Sequence, residues 1–177
     1  RQPFEVVSEE IVPTGPRLGY AGPRRRILVV DNEEADRTLL TDLLEPLGFV
    51  IEGAASGEAA LLRLADPAAP RPDAIFMDLA MPGIDGWETI RRLRAHEVAS
   101  VGARLAAGPS QGGAAPSGGS EAHEVASVGA RIAIVSANAF DRKLDNPVGL
   151  PAEDFIVKPV RLPELLDWLG RRLALQW

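Results

Sequence analysis

The sequence predicts an α/β fold in which a doubly wound parallel sheet is covered by helices on both faces. Four short apolar runs each end at a polar side chain: 27–30 before Asp31, 74–77 before Asp78, 132–135 before Ser136 and 155–157 before Lys158. Runs of this length are too short for core helices and suit strands that are buried on both faces. Stretches with helical leucine spacing separate the runs, which is the alternation of parallel α/β proteins.

The bulk properties suit one domain with surplus residues in tails or an insertion, because the chain has 177 residues and 46% of them are apolar. A formal net charge of −6 argues against a general nucleic-acid surface. The absence of cysteine excludes disulfides and thiolate metal sites, and it fits a reducing compartment. The chain has no initiator methionine, no signal-peptide pattern and no apolar run near the ~20 residues that span a bilayer. We therefore expect a fragment of a longer cytoplasmic protein.

The first half of the chain is predicted to supply an extended linker and two strand–helix units. Prolines and glycines over residues 1–23 predict the linker, and residues 24–177 are expected to form the domain. A first helix is predicted over 33–46. Its apolar stripe is formed by Leu39, Leu40, Leu43, Leu44 and Leu47. A second strand is predicted at 49–51 and a second helix at Gly57–Ala65.

The middle of the chain carries a central strand, a turn and a duplicated segment. Asp78 closes the strand, a Pro- and Gly-rich turn follows, and a third helix is predicted from Trp87. That helix runs into the string AHEVASVGAR at 95–104, which recurs unchanged at 122–131. Gly, Ser, Ala and Pro dominate the residues between the two copies. We therefore predict a flexible duplicated insertion at about 95–121, between helix three and strand four.

The last part of the chain is predicted to form a short helix at 139–144, a strand at 155–157 and a final helix at Leu162–Leu173. Pro163 lies in the first turn of that helix, where its missing N–H costs nothing. The apolar face of the helix is formed by Leu165, Leu166, Leu169 and Leu173. Trp168 and Trp177 are interpreted as packing residues.

The polar residues that follow the strands are expected to meet. Parallel strands bring their carboxyl ends to one edge of a sheet, so Asp31, Asp78, Ser136 and Lys158 should converge in one crevice. Two carboxylates, a hydroxyl and an ammonium together suit a divalent cation and a phosphoryl group. The acidic residues after the first strand also suit the start of a helix, where they offset the helix dipole. Both interpretations of Asp31 can hold at once.

Four motifs in the order ILVVDNEE, MDLAMPGIDG, IVSANAF and FIVKPV closely resemble the receiver domains of two-component response regulators. The resemblance covers about residues 26–173, apart from the insertion. It implies a flavodoxin-like sheet of five strands in the order 2-1-3-4-5. The leader GYAGPRRRILVVDN and the closing run KPVRLPELLDWLGRRLALQW also resemble receivers at the carboxyl end of hybrid sensor histidine kinases.

The resemblance implies a chemical role for each side chain of the crevice. Asp78 would be the phosphoacceptor that attacks a phosphohistidine and forms an acyl phosphate. Lys158 would pair with the phosphoryl oxygens, and Ser136 would donate a hydrogen bond to one of them. Ser136 and Phe155 would form the conformational switch. The Lys158–Pro159 peptide bond is expected to be cis.

The resemblance also implies that Mg²⁺ is the cofactor of the crevice. Its ligands would be Asp31, Asn32, Asp78 and the backbone carbonyl of Ala80. The family usually has two adjacent acidic residues after the first strand, and Asn32 replaces the second of them. An amide oxygen can still bind Mg²⁺, but one formal charge is lost, so we expect weaker affinity.

Two alternative functions follow from the same residues. A phosphohydrolase of the haloacid dehalogenase type would need a second Asp two residues after Asp78, and Ala80 occupies that position. A pseudo-receiver would be an interaction module that is never phosphorylated. Asn32 favours this second alternative, whereas the intact Asp78, Ser136 and Lys158 argue against it.

The partners expected from the resemblance are a histidine kinase or a histidine phosphotransfer domain. The domain itself would be no enzyme beyond its own phosphotransfer and dephosphorylation, while the parent chain is a candidate histidine kinase. We expect neither nucleic-acid binding nor membrane contact by this part of the protein. A dimer through the last two helices is an option that the resemblance leaves open.

Overall fold

The computed structural model describes residues 17–106, 129–142 and 147–177. Within these residues one sheet is formed by β1 (Arg26–Val30), β2 (Val50–Ala54), β3 (Ala74–Asp78), β4 (Arg131–Ser136) and β5 (Phe155–Val157). Its helices are α1 (Glu34–Leu44), α2 (Gly57–Ala65), α3 (Gly86–Ala106) and α4 (Leu162–Leu173). All strand pairs are parallel and their order is β2-β1-β3-β4-β5. The predicted fold class and strand order are confirmed.

Each face of the sheet has its own apolar core, because alternate residues of a strand point to opposite faces. One core joins the sheet to α2 and α3 through Leu28, Val30, Leu64, Ile75, Met77 and Ile90. The other core joins the sheet to α1 and α4 through Ile27, Val29, Leu44, Phe76, Leu165 and Leu169. The middle of the central strands β1, β3 and β4 is therefore apolar on both faces, as a sheet covered on both sides requires.

The register of the strands brings the polar strand ends to one edge. Asp31 and Asp78 follow residues that are paired across β1 and β3. Asp78 itself pairs with the residue before Ser136, on β4. Ser136 in turn pairs with the residue before Lys158, on β5. The four side chains singled out from the sequence thus lie in neighbouring positions along the carboxyl edge of the sheet.

The first helix and the second strand differ from the prediction in detail. α1 ends at Leu44 and continues as a short 3₁₀ helix, Glu45–Leu47, since Pro46 has no N–H to extend the α-helical ladder. Leu39 is 45% exposed, so including it in the apolar stripe was wrong. β2 extends to Ala54 because β1 pairs with all five of its residues, including Glu52 and Gly53, which interrupt the apolar pattern.

Within the described residues, the segment after β4 forms a 3₁₀ helix where a short helix was predicted over 139–144. This 3₁₀ helix spans Ala139–Arg142, and residues 143–146 lie outside the described part of the chain. The final helix has the predicted bounds, and Trp168 is buried in its core face, which confirms its packing role. The indole Nε1 of Trp168 donates to Oδ1 of the buried Asp154 at 2.8 Å. Arg172 Nε donates to the same oxygen at 2.6 Å, so this buried carboxylate is paired.

The linker and the insertion are described only in part. α3 continues through the first copy of the duplicated string to Ala106, and residues 107–128 lie outside the described residues, as do residues 1–16. The flexible insertion therefore stays a prediction. Residues 17–23 have no helix and contact the domain, for example through the ring of Tyr20 on Phe49. No helix among the described residues is both long and apolar enough to cross a bilayer.

Candidate functional site

Asp78 lies at the centre of the crevice. It ends β3, the middle strand, and is 6% exposed. Burial raises the pKa of its carboxyl group, the Lys158 ammonium lowers it, and the charge of Asp31 raises it, with a net shift upward. The turn after Asp78 is tight: a Cβ on Gly86 would lie 2.3 Å from the Asp78 carbonyl oxygen. Glycine at that position is therefore required for the turn predicted from the sequence.

Lys158 reaches into the crevice and lies among three carboxylates. Its Nζ is 2.8 Å from Asp31 Oδ2, 2.7 Å from Asp36 Oδ2 and 3.2 Å from Asp78 Oδ1. Burial lowers the pKa of Lys158, but hydrogen bonds to Asp31 and Asp36 and the charge of Asp78 outweigh burial and raise the pKa above its ordinary value. The Lys158–Pro159 bond is cis, the form that the resemblance implies. The ammonium therefore remains charged and ties β5 to the ends of β1 and β3.

Asp31 and Asn32 leave β1 and lead into α1. Asp31 is 3% exposed, and its Oδ1 accepts a hydrogen bond from the Glu33 N–H at 2.9 Å. Its other oxygen accepts from Lys158. Asn32 is half-buried, and its Nδ2 donates to Oε1 of the exposed Glu33 at 3.0 Å. Asp31 thus holds the turn before α1 and faces the crevice, but the residue at the N-cap of α1 is Glu33, whose side chain makes no capping hydrogen bond. The role of Asp31 as a cation ligand stays a prediction.

Ser136 lies at the same edge, but its hydroxyl is engaged away from Asp78. Ser136 Oγ donates to Asp141 Oδ2 at 2.5 Å and accepts from the Asn138 N–H at 3.1 Å. Asn138 also holds Asp141, because its Nδ2 donates to Asp141 Oδ1 at 3.1 Å. The hydroxyl must therefore rotate away from Asp141 before it can donate to a group bound at Asp78.

Phe155 is buried at the start of β5. Its ring centroid lies 6.0 Å from that of Trp87, and the two planes are tilted by 51°. Tilted aromatic pairs at this distance stabilise each other beyond the apolar area they bury. Phe155 thus connects β5 to the first turn of α3, directly after the turn that follows Asp78.

The oxygen groups of the crevice fit Mg²⁺. The predicted ligands are two carboxylates, one amide oxygen and one backbone carbonyl, which are the hard donors that Mg²⁺ prefers. The charges of Asp31 and Asp78 act against each other in a buried setting, and a bound cation would relieve that repulsion. No cluster of three or more His, Cys, Asp or Glu side chains is arranged as metal ligands in the described residues, so the amide and carbonyl oxygens would have to complete the set.

Two residues of the crevice were missed from the sequence. Asp36 contacts Lys158, and Asp141 holds Ser136. Position carried a signal for Asp36, because it lies in the first turn of the helix that begins just after Asp31. No comparable signal existed for Asp141, whose position depends on the 3₁₀ turn after β4.

Known proteins are similar to this chain in sequence. Residues 27–104 match the response regulator receiver domain. Histidine kinase 2 of Arabidopsis thaliana is 40% identical over 77 residues, which are 44% of this chain and 6% of that protein. Hybrid signal transduction histidine kinase L of Dictyostelium discoideum is 32% identical over 72 residues, which are 41% of this chain and 4% of that protein. The chain thus spans a small fraction of these relatives.

The fold is also that of solved response regulators. The response regulator TrrA of Thermotoga maritima, in complex with Mg²⁺–BeF, has a TM-score of 0.56 and 24% identity, covering 84% of this chain and 98% of that one. Residues 27–104 are thus similar to the receiver domain of two-component response regulators, and the sheet has the strand order that this resemblance implies.

Proposed function

We propose that this receiver domain accepts a phosphoryl group from a phosphohistidine onto Asp78 and changes conformation in response. One observation supports the proposal most directly: a buried carboxylate at the end of the central strand lies 3.2 Å from the ammonium of Lys158. A carboxylate oxygen of Asp78 attacks phosphorus, the bond from phosphorus to the imidazole nitrogen breaks, and the histidine leaves. The product on Asp78 is an acyl phosphate.

The residues around Asp78 would bind the phosphoryl group and orient it. Lys158 is poised to donate to a phosphoryl oxygen because its Nζ already lies beside the nucleophile. Asp31, Asn32, Asp78 and the carbonyl of Ala80 would hold Mg²⁺. When bound, that ion supplies positive charge against the repulsion between the carboxylates and the phosphoryl oxygens.

The other carboxylates near the site are placed less favourably than Asp78, which ends the middle strand of the sheet. Both oxygens of Asp31 accept hydrogen bonds, one from the Glu33 N–H and one from Lys158. Asp85 lies beyond the turn, and its Oδ1 accepts from the Glu88 N–H at 2.8 Å, at the start of α3. Asp78 is therefore the proposed phosphoacceptor.

Ser136 and Phe155 are the proposed switch. On phosphorylation, the Ser136 hydroxyl would leave Asp141 and donate to the phosphoryl group, since a charged phosphoryl oxygen is a strong acceptor. The backbone of β4 would follow and loosen the turn that holds Asn138 and Asp141. Phe155 packs beside this region and would repack as it moves.

The proposed partner is a cytoplasmic histidine kinase or histidine phosphotransfer domain, and the proposed parent is a hybrid histidine kinase. The kinases that contain matching segments support this context. A dimer through the last two predicted helices, 139–144 and α4, is a further prediction.

A second candidate function is supported by Asn32. A pseudo-receiver would keep the fold and bind a partner without phosphorylation, and the missing carboxylate at this position would weaken the cation site. Phosphorylation of Asp78 distinguishes the two candidates directly.

The test is covalent labelling of Asp78. The 177-residue chain is incubated with acetyl phosphate and Mg²⁺ or with a phosphorylated histidine kinase, and its intact mass is measured. We expect an increase of one phosphoryl group, ~80 Da, in the parent chain and none in Asp78→Asn. Asp85→Asn is the matched control and should be labelled like the parent. An adduct that persists in Asp78→Asn would place the phosphoacceptor elsewhere, and no adduct in any chain would favour the pseudo-receiver.

A further inference from the structure

Asp36 is a carboxylate of the crevice that the family motifs do not include. It lies on α1, its side chain is 37% exposed, and its Oδ2 is 2.7 Å from the Lys158 Nζ. This is as close as the contact of Lys158 with Asp31, at 2.8 Å, and closer than that with Asp78, at 3.2 Å. The ammonium is thus shared by two nearly buried carboxylates and one that remains partly hydrated.

Asp36 is also the carboxylate best placed to offset the charge that Asn32 lacks. Glu33, the nearest acidic residue in sequence, is exposed and accepts the Asn32 amide instead. Asp36 lies in the first turn of α1, and its carboxylate reaches Lys158 in the crevice. Three carboxylates then surround one ammonium, so these four side chains together have a net charge of −2.

We propose that Asp36 is a positioning residue of the phosphoacceptor site, which compensates for Asn32 by holding the ammonium of Lys158. This inference rests on the proposed function. Mg²⁺ and Lys158 would otherwise compete for the same two carboxylates, Asp31 and Asp78. Asp36 gives the ammonium an ion-pair partner of its own, so that both carboxylates can turn toward the cation. Asp36 is not itself a ligand of Mg²⁺ in this arrangement.

A double-mutant cycle on Mg²⁺ affinity tests this compensation. Mg²⁺ is titrated into the full chain, with tryptophan fluorescence as the readout because Trp87 lies beside the site. Asp36→Asn should weaken Mg²⁺ binding about ten-fold, the effect of roughly 1.4 kcal/mol of charge interaction. Asn32→Asp should restore the affinity in the Asp36→Asn chain but raise it less than about three-fold in the parent chain.

The control variant is Asp42→Asn, which removes one negative charge from the exposed side of the same helix. It should leave Mg²⁺ affinity within about two-fold of the parent, since exposed charges beyond a Debye length are screened. Asp36→Glu keeps the charge and should bind Mg²⁺ nearly as the parent does. Equal losses in Asp36→Asn and Asp42→Asn, or no rescue by Asn32→Asp, would overturn the inference.

The test of this inference can fail independently of the test of the proposed function. Labelling of the parent chain tests whether Asp78 is phosphorylated, whereas the double-mutant cycle tests whether Asp36 affects Mg²⁺ affinity. A chain that is labelled at Asp78 but whose Mg²⁺ affinity is independent of Asp36 refutes the inference alone. Should Asp36→Asn fail to fold, the Asn32→Asp single variant decides: a gain of about ten-fold or more would show that Asp36 does not compensate.

Discussion

Asp78 and Lys158 lie in a crevice where burial disfavours the charged form of each side chain. Asp78 has its pKa raised by burial first and by the charge of Asp31 as well, and the ammonium of Lys158 offsets this only in part. Lys158 has its pKa raised by hydrogen bonds and charges that outweigh its own burial. The effect of the site on the ionised pair is therefore asymmetric. It stabilises the charged form of Lys158 and destabilises the charged form of Asp78.

This asymmetry predicts how stability depends on pH in metal-free buffer. A carboxyl group whose pKa is higher in the folded state binds more protons folded than unfolded, so stability falls as pH rises from the ordinary value of 3.8 through the raised pKa. Asp78→Asn removes this contribution and should be more stable than the parent at pH 7, with the difference shrinking toward pH 4. Urea unfolding of both chains across this range measures the difference.

Other acidic groups act in the opposite direction, and both chains share them. Backbone hydrogen bonds lower the pKa of Glu58, and hydrogen bonds from Arg92 and Arg91 lower that of Glu88, so their stabilisation is lost as pH falls. Because both chains contain Glu58 and Glu88, the contributions of these residues cancel in the difference between the two free energies of unfolding. A constant difference between pH 4 and pH 7 would contradict the raised pKa of Asp78.

At the scale of elements, the sequence was most informative where capping residues and prolines set the bounds. α2 begins after Ser56, whose hydroxyl accepts from the Ala59 N–H at 3.1 Å, and α4 begins with Pro163 in its first turn, so both have the predicted bounds. β2 was predicted too short because its length depends on pairing with β1, which a pattern of single residues does not contain. A similar limit applies to the crevice. The ends of the strands predicted Asp78 and Lys158, but Asp141 is brought to Ser136 by the 3₁₀ turn after β4, which the sequence pattern did not predict.

The duplicated string predicts that one copy is dispensable. Deleting residues 95–121 joins Arg94 to the second AHEVASVGAR string, so the sequence that follows Arg94 in α3 is retained. The side chain of Arg94 donates to the carbonyl of Val148, and this contact is kept. Shortening a connection changes loop entropy only slightly. We therefore expect the deletion to change the free energy of unfolding by less than about 2 kcal/mol and to leave labelling of Asp78 intact.

Urea unfolding and intact mass test the deletion. The matched control removes 27 residues at a different point, 108–134, which eliminates part of β4 and should unfold the domain. A loss well above 2 kcal/mol in the first deletion would mean that the removed residues pack on the domain, a large effect on the usual mutational scale.

At the scale of the whole molecule, the segment before β1 contacts both α4 and the segment that follows α4. Arg17 forms an ion pair with Asp167 at 2.5 Å and lies 5.0 Å over the ring of Trp177. The Ala21 N–H donates to the Gln176 carbonyl at 2.8 Å. We call these contacts the terminal clasp. The clasp lies at the amino edge of the sheet, beside the start of β1 and the end of α4, whereas the crevice lies at the carboxyl edge.

Trp177 is the centre of the clasp. Its ring also packs on Tyr20, with centroids 6.2 Å apart, and α4 has a glycine at the contact because a Cβ on Gly170 would lie 2.8 Å from the indole nitrogen. A glycine inside a helix costs about 1 kcal/mol relative to alanine. The close approach of Trp177 explains why glycine occupies this helical position despite that cost.

The clasp should stabilise the fold without affecting phosphorylation. Trp177→Ala loses the aromatic and cation–π contacts, so we expect the free energy of unfolding to fall by about 1–3 kcal/mol, while Asp78 is labelled at the parent rate because the two edges of the sheet are separate. Trp177→Phe retains a ring and should lose less. Urea unfolding of the three chains measures the loss of stability, and labelling kinetics measure the rate of phosphorylation of Asp78. A slower labelling rate in folded Trp177→Ala would show that the clasp and the crevice are coupled through the sheet.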